Sequence, residues 1–152
     1  MILVSACLAG INFRYDGGNS KNEYVCRLVE AGRALPVCPE VLGGLPTPRV
    51  SCEIILAVDG TNKVLSKDGR DFTREFSAGA EKTLQIARII GAQQAILQSR
   101  SPSCGCGYVY DGQFSGNFRT GNGLTADLLL RNGIEVMSSD DPSRPCPGSR
   151  EA

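Results

Sequence analysis

The sequence predicts an α/β fold, a single domain with a mostly parallel sheet and helices on both faces, and three observations carry that prediction. Short apolar, β-prone runs alternate with stretches whose apolar residues recur every three or four positions, the pattern of successive strand–helix–strand units. Glycine stands where several of those helical stretches would stop. The chain has 152 residues, 41% of them hydrophobic, enough for one ordinary domain to bury its own core.

Taken in order, Ile2-Leu3-Val4-Ser5-Ala6 reads as a first buried strand ending at Cys7, before a loop marked by Gly10, Gly17, Gly18 and Asn19. Residues 22–32 carry Tyr24, Val25, Leu28 and Val29 at helical spacing and close on a glycine. Ala34-Leu35-Pro36-Val37 is a second strand running into Cys38, and residues 39–49, with Gly43, Gly44, Pro46 and Pro48, read as a loop. Residues 54–58 and 63–65, on either side of Asp59-Gly60, suggest a hairpin. The longest helix follows, with Phe72, Phe76, Ala80, Leu84, Ala87 and Ile90 on one face and Gly91 as its stop. Residues 95–99 are a third strand, emptying into Ser101-Pro102-Ser103-Cys104-Gly105-Cys106-Gly107. A helix over 124–131, ended by Gly133, precedes the strand Ile134-Glu135-Val136-Met137. The alternation makes a Rossmann-like layer fold without internal repeats. Residues 1–137 are expected to be the folded domain, and 138–152, rich in Ser, Pro and Asp, a flexible C-terminal tail.

Composition narrows the chemistry. Histidine is absent, which removes Ser-His-Asp and Cys-His nucleophile pairs and every zinc site that needs imidazole. Thiolate, carboxylate, hydroxyl and backbone groups remain. The 16 basic and 16 acidic residues cancel, so no global field draws the chain to extended nucleic acid or to an anionic membrane, and a small molecule is the expected partner. Seven cysteines, an odd number scattered through apolar segments, fit a reducing compartment better than a disulfide framework. The apolar opening lacks the basic flank and length of a signal peptide, and no 18-residue apolar run occurs, so a soluble cytoplasmic protein is expected.

Cys7, Cys38 and Cys104 each fall at or just beyond the C-terminal end of an expected strand, the edge of a parallel sheet where ligand sites are built. Three thiolates brought together there select zinc, copper(I) or an iron–sulfur cluster over hard cations, and leave one coordination position open. The flanking Gly10, Gly43, Gly44, Gly105 and Gly107 let backbone N–H groups come close, which favours an anionic cluster over a bare zinc ion. Cys26, within a helix, and Cys52, beside a strand, read as ordinary small core residues, and Cys146 as a free thiol in the tail. Cys104 and Cys106 form a C-x-C pair that also fits a redox dithiol or a tight metal clip.

Four ordered motifs add a resemblance: Ser5-Ala6-Cys7-Leu8-Ala9-Gly10, Arg14-Tyr15-Asp16-Gly17, the block from Pro36-Val37-Cys38-Pro39-Glu40 to Leu45-Pro46-Thr47-Pro48-Arg49, and Ser101-Pro102-Ser103-Cys104-Gly105. Together they resemble the thiouracil desulfidase (TudS) family over about residues 2–137. The resemblance implies an oxygen-sensitive [4Fe-4S] cluster held by Cys7, Cys38 and Cys104, with a fourth iron that binds the sulfur of a thiolated pyrimidine. It also implies release of hydrogen sulfide to leave uracil. Many members carry Cys before Arg-Tyr-Asp-Gly, where this chain has Phe13, which cannot ligate iron. Cys106 is an extra thiol beside the third ligand.

In such a site iron draws electron density from the ring carbon, water attacks that carbon, and a protein group must take the water's proton. Without histidine the nearest motif candidate is Glu40, expected to act as general base and acid. Ser101, three residues before Cys104, is expected either to orient the water or relay a proton, or simply to cap its own turn. Arg14, Asp16, Lys21 and Arg49 lie in loops at the same edge and either meet the substrate or pair with one another. Residues 110–116 read as a hairpin turn in preference to a substrate flap with a stacking aromatic. The competing functions are a zinc- or nucleotide-binding module with structural cysteines, and a thiol redox enzyme using Cys104 and Cys106.

Overall fold

A computed structural model describes residues 1–146. In chain order it contains β1 (Ile2–Ser5), a 3₁₀ turn (Ala6–Ala9), α1 (Glu23–Glu30), β2 (Ala34–Val37), α2 (Pro39–Leu42), β3 (Cys52–Leu56) and β4 (Asn62–Ser66). Then come α3 (Thr73–Ile89), β5 (Gln94–Leu97), β6 (Tyr108–Tyr110), β7 (Phe118–Thr120), α4 (Leu124–Arg131), β8 (Glu135–Ser138) and β9 (Asp141–Pro145). The main sheet has the order β2-β1-β5-β8-β9, with every pairing parallel except the last. Strand alternation sends Leu3, Ala95, Leu97 and Val136 to one face, where Leu84 and Ala87 of α3 and Ala126 and Leu129 of α4 cover them. Val4, Ile96 and Met137 face the other way, against Val25 and Leu28 of α1. The expected α/β architecture with helices on both faces is the one observed.

Local signals explain most boundaries. The Asn22 side chain accepts the N–H of Val25 and caps α1, and Gly91 follows α3 in the left-handed conformation at φ 67°. α2 is a departure from the expected loop over 39–49. It is one turn started by a proline at its first position, too short to leave a helical period in the sequence. It lies directly on α3 because two glycines face each other. A Cβ on Gly43 would clash with the Glu75 carbonyl oxygen, and one on Gly79 equally with that of Pro39. That contact sets the height of α2, and with it of Cys38 and Glu40.

The chain does not leave the sheet at Met137. Residues 141–145 of the expected tail pair with β8 as an antiparallel edge strand, and Cys146 forms a disulfide with Cys106, their Cα atoms 6.1 Å apart. Cys146 is therefore not the free thiol expected, because β9 turns it back beside the loop that follows β5. Residues 147–152 of the expected tail lie outside the described residues. A second β-hairpin, β6 with β7, and the β3–β4 hairpin stand beside the main sheet, with Ile54, Val64, Phe76 and Val109 as their shared core.

Candidate functional site

The sheet order places β2, β1 and β5 side by side, so the three chain segments leaving their C-terminal ends are neighbours. Cys7 leaves β1 in the 3₁₀ turn, Cys38 caps the start of α2 after β2, and Cys104 lies in the loop after β5. All three are free thiols lining one cavity of about 580 Å³. Arg14, Glu40, Arg49, Cys52, Ser101 and Ser103 line the same cavity. Of the four charged loop residues, Asp16 and Lys21 are not on its wall; Asp16 pairs with Arg14 at 3.1 Å and Lys21 with Glu23 at 3.9 Å.

The thiols are held by specific contacts. Ser5 Oγ accepts the Gln98 N–H at 2.9 Å and donates to Cys104 Sγ at 3.3 Å, tying the ends of β1 and β5 together. Cys38 Sγ lies 3.9 Å from the Phe13 carbonyl oxygen and 3.9 Å from the Arg49 guanidinium. Burial pushes the Cys7 thiol up to about 11, with Cys38 adding in the same direction. Burial likewise lifts Cys104 to about 12, with Cys38 and Cys7 adding to it against the lowering bond from Ser5. Cys38 is raised chiefly by burial, offset in part by a backbone bond from Val41. One buried and two half-buried thiols, with Cys38 raising both of its neighbours, are the arrangement a cationic group between them would reverse, since metal ligation deprotonates a thiol outright.

Glu40 is clamped. Arg49 Nε donates to Oε1 at 3.0 Å and Ser103 Oγ donates to Oε2 at 2.7 Å, with side-chain exposures of 14% for Glu40 and 6% for Arg49. Arg49 also donates to the carbonyl oxygens of Phe13 at 2.7 Å and Pro46 at 3.2 Å and to Thr47 Oγ1 at 3.1 Å, so its guanidinium organises the whole loop around Cys38. Ser101 Oγ accepts the Cys104 N–H at 2.7 Å, the turn-capping role, and also lies 3.3 Å from Ser103 Oγ. A continuous line of hydroxyls therefore runs from Ser101 through Ser103 to Glu40. Ser103 was not singled out by sequence, although it stands inside the Ser-Pro-Ser-Cys motif. Arg49 serves as the partner of Glu40, a role its place in a Pro-rich loop does not reveal.

The other cysteines sort differently from one another. Cys26 is buried on α1, its thiol 3.8 Å from the Leu8 carbonyl oxygen. Cys52 is buried in β3 yet reaches the cavity, and burial pushes it up to about 11. Cys106 is bonded to Cys146 and Cys104 is free, so the C-x-C pair does not form the disulfide that the redox reading would use. Among the described residues no three Cys, Asp or Glu side chains gather so as to hold a single metal ion. A multi-iron cluster takes its thiolates on separate irons, and can leave one iron without a protein ligand, so it accepts ligands set farther apart than one ion does. An all-thiolate set of three, on glycine-flanked loops, fits such a group.

Comparisons with known proteins agree with this chemistry. The sequence model of the 2-thiouracil desulfurase family matches residues 2–141. YbbK, an uncharacterised protein of Bacillus subtilis (strain 168), is 44% identical over 146 residues, which cover 93% of this chain and 97% of that protein. A solved structure of a [4Fe-4S]-dependent thiouracil desulfidase, TudS, superposes with a TM-score of 0.83 at 44% identity, over 91% of this chain and 90% of that one.

Proposed function

The chain belongs to the 2-thiouracil desulfurase family, and from that premise we propose that it hydrolyses 2-thiouracil or a related thiolated pyrimidine to uracil and hydrogen sulfide. The observation that carries the reading is the convergence of three free thiols and one clamped carboxylate on a single cavity at neighbouring strand ends. Cys7, Cys38 and Cys104 would hold a [4Fe-4S] cluster, which when bound supplies a Lewis acid for the substrate's sulfur. Overall, one thiocarbonyl and one water give one carbonyl and one hydrogen sulfide, and no electrons are exchanged.

The protein's own groups manage the proton. Glu40 is the general base: its carboxylate accepts the proton of the attacking water and returns one to the departing sulfide. The line from Ser101 through Ser103 to Glu40 supplies a route, since Ser103 already donates to Glu40 and each hydroxyl can hand a proton on as it receives one. Ser101 is the end of that line beside Cys104. Arg49 keeps Glu40 aimed, and its position 3.9 Å from Cys38 Sγ places positive charge beside the anionic ligand.

The cellular setting belongs to the same proposal. We place the protein in the cytoplasm, where the thiols proposed to hold the cluster stay reduced; five described cysteines are free, and the Cys106–Cys146 bond is the exception to that reading. No described helix is long and apolar enough to cross a membrane. The deciding experiment is anaerobic reconstitution followed by sulfide release from a panel of thiolated bases and nucleotides. Release of sulfide and uracil by cluster-loaded protein is expected, and a colourless, inactive protein that retains one zinc per chain would overturn the reading.

A further inference from the structure

Two described residues other than glycine hold a positive φ, Arg100 at 68° and Phe114 at 54°, and both line the cavity. A bulky residue rarely adopts this conformation, and keeps it only where its surroundings impose it. At Phe114 the cause is visible. Its N–H and that of Gly112 both donate to Oε1 of Glu53, at 3.2 and 2.9 Å. Glu53 is a carboxylate on β3, only 6% exposed, for which the proposed chemistry has no use. Gly112, at φ 88°, seats the turn so closely on β3 that a Cβ there would lie 2.7 Å from the Ile54 carbonyl oxygen.

A buried carboxylate committed to two amides of a surface turn is a positioning device, and what it positions is an aromatic ring on the cavity wall. We propose that Phe114 is the ring-recognition residue of the site, offering its face to the pyrimidine, and that Glu53 is the positioning residue that holds it there. The identity of the ring rests on the desulfidase reading. Stacking is indifferent to which ring carbon bears sulfur, so Phe114 contributes equally to 2-thio and 4-thio substrates and to the product uracil.

In the cluster-loaded enzyme, Phe114→Ala should raise KM for 2-thiouracil and 4-thiouracil alike by about 5- to 150-fold, the range of a lost base-stacking contact, with kcat changed far less and cluster absorbance unaltered. Phe114→Tyr should recover the KM. Glu53→Ala should reproduce the KM rise, whereas Glu53→Gln, which keeps one acceptor oxygen for the two N–H groups, should be mild. The chain has no tryptophan, so Phe114→Trp adds a single reporter whose emission should change saturably with uracil. A KM for Phe114→Ala within about twofold of an active wild type overturns the assignment, as does a flat uracil titration of the Trp variant. The two readings fail separately. Wild-type protein that releases no sulfide while the Trp reporter still answers to uracil strikes the hydrolytic reading and leaves ring recognition standing.

Discussion

In Glu40→Gln one carboxylate oxygen becomes an NH₂ group, and the side chain can no longer serve both of its donors. Arg49 reaches Oε1 at 3.0 Å and Ser103 reaches Oε2 at 2.7 Å; the amide offers its oxygen to one and turns a donor on the other. Losing one hydrogen bond to a charged group removes about 1.5–3 kcal/mol of stability. For a chain of this size that lowers Tm by roughly 3–12 °C, which leaves the protein folded at assay temperature. The catalytic effect should be larger, because removing a general base slows turnover by about 10²–10⁴-fold, or ~2.7–5.5 kcal/mol of barrier. The assay is sulfide release at saturating 2-thiouracil by anaerobically reconstituted protein, with iron and visible absorbance measured on the same sample. Folded, cluster-loaded protein that loses turnover in that range is the expected result. Turnover within about threefold of wild type at full cluster loading would refute Glu40 as the base, and loss of the cluster would make it a support for the ligand loop.

Cys7→Ala, Cys38→Ala and Cys104→Ala should each lower the iron-to-protein ratio and abolish sulfide release, while Cys26→Ala and Cys52→Ala keep the cluster; a loss centred on Cys52 would refute the ligand set. Arg49→Met strands the nearly buried Glu40 charge, and removing one side of such a pair costs about 3–5 kcal/mol, read by urea unfolding at matched cluster loading. The Arg49→Met, Glu40→Gln double variant should lose less than the two single losses combined, since the partners are in contact. In ¹⁸O-labelled water the uracil formed should carry the label at the former thiocarbonyl carbon without any electron donor, and unlabelled product would exclude hydrolysis.

The cysteines that share the cavity were legible because each of three β-prone runs is followed by one, a local pattern. Which strands would be neighbours was not local. That β5 lies beside β1, rather than the nearer β3, is decided by how α3 and α4 cover the sheet, and only then do Cys7 and Cys104 face one cavity. β9 was hidden for another reason. Asp-Pro-Ser-Arg-Pro has a tail's composition, yet an edge strand tolerates proline because one side of it needs no partner. Ser103 and Glu53 escaped notice because single hydroxyls and carboxylates carry no period, and their meaning comes from Glu40 and from the amides of Gly112 and Phe114, all distant in sequence.

The wide separation of residues 7, 38 and 104 along the chain has a consequence for assembly. A peptide with closely spaced cysteines can capture metal while unfolded and fold around it, whereas here the proposed ligands meet only after β2, β1 and β5 have paired in register. Loading is therefore a late event in the life of the polypeptide, and the nascent chain must reach a nearly native sheet unaided. Held by those three cysteines, the inorganic group would clasp three strands at one end, so holoprotein should resist local opening of that end far better than apoprotein, a difference amide hydrogen exchange can follow strand by strand.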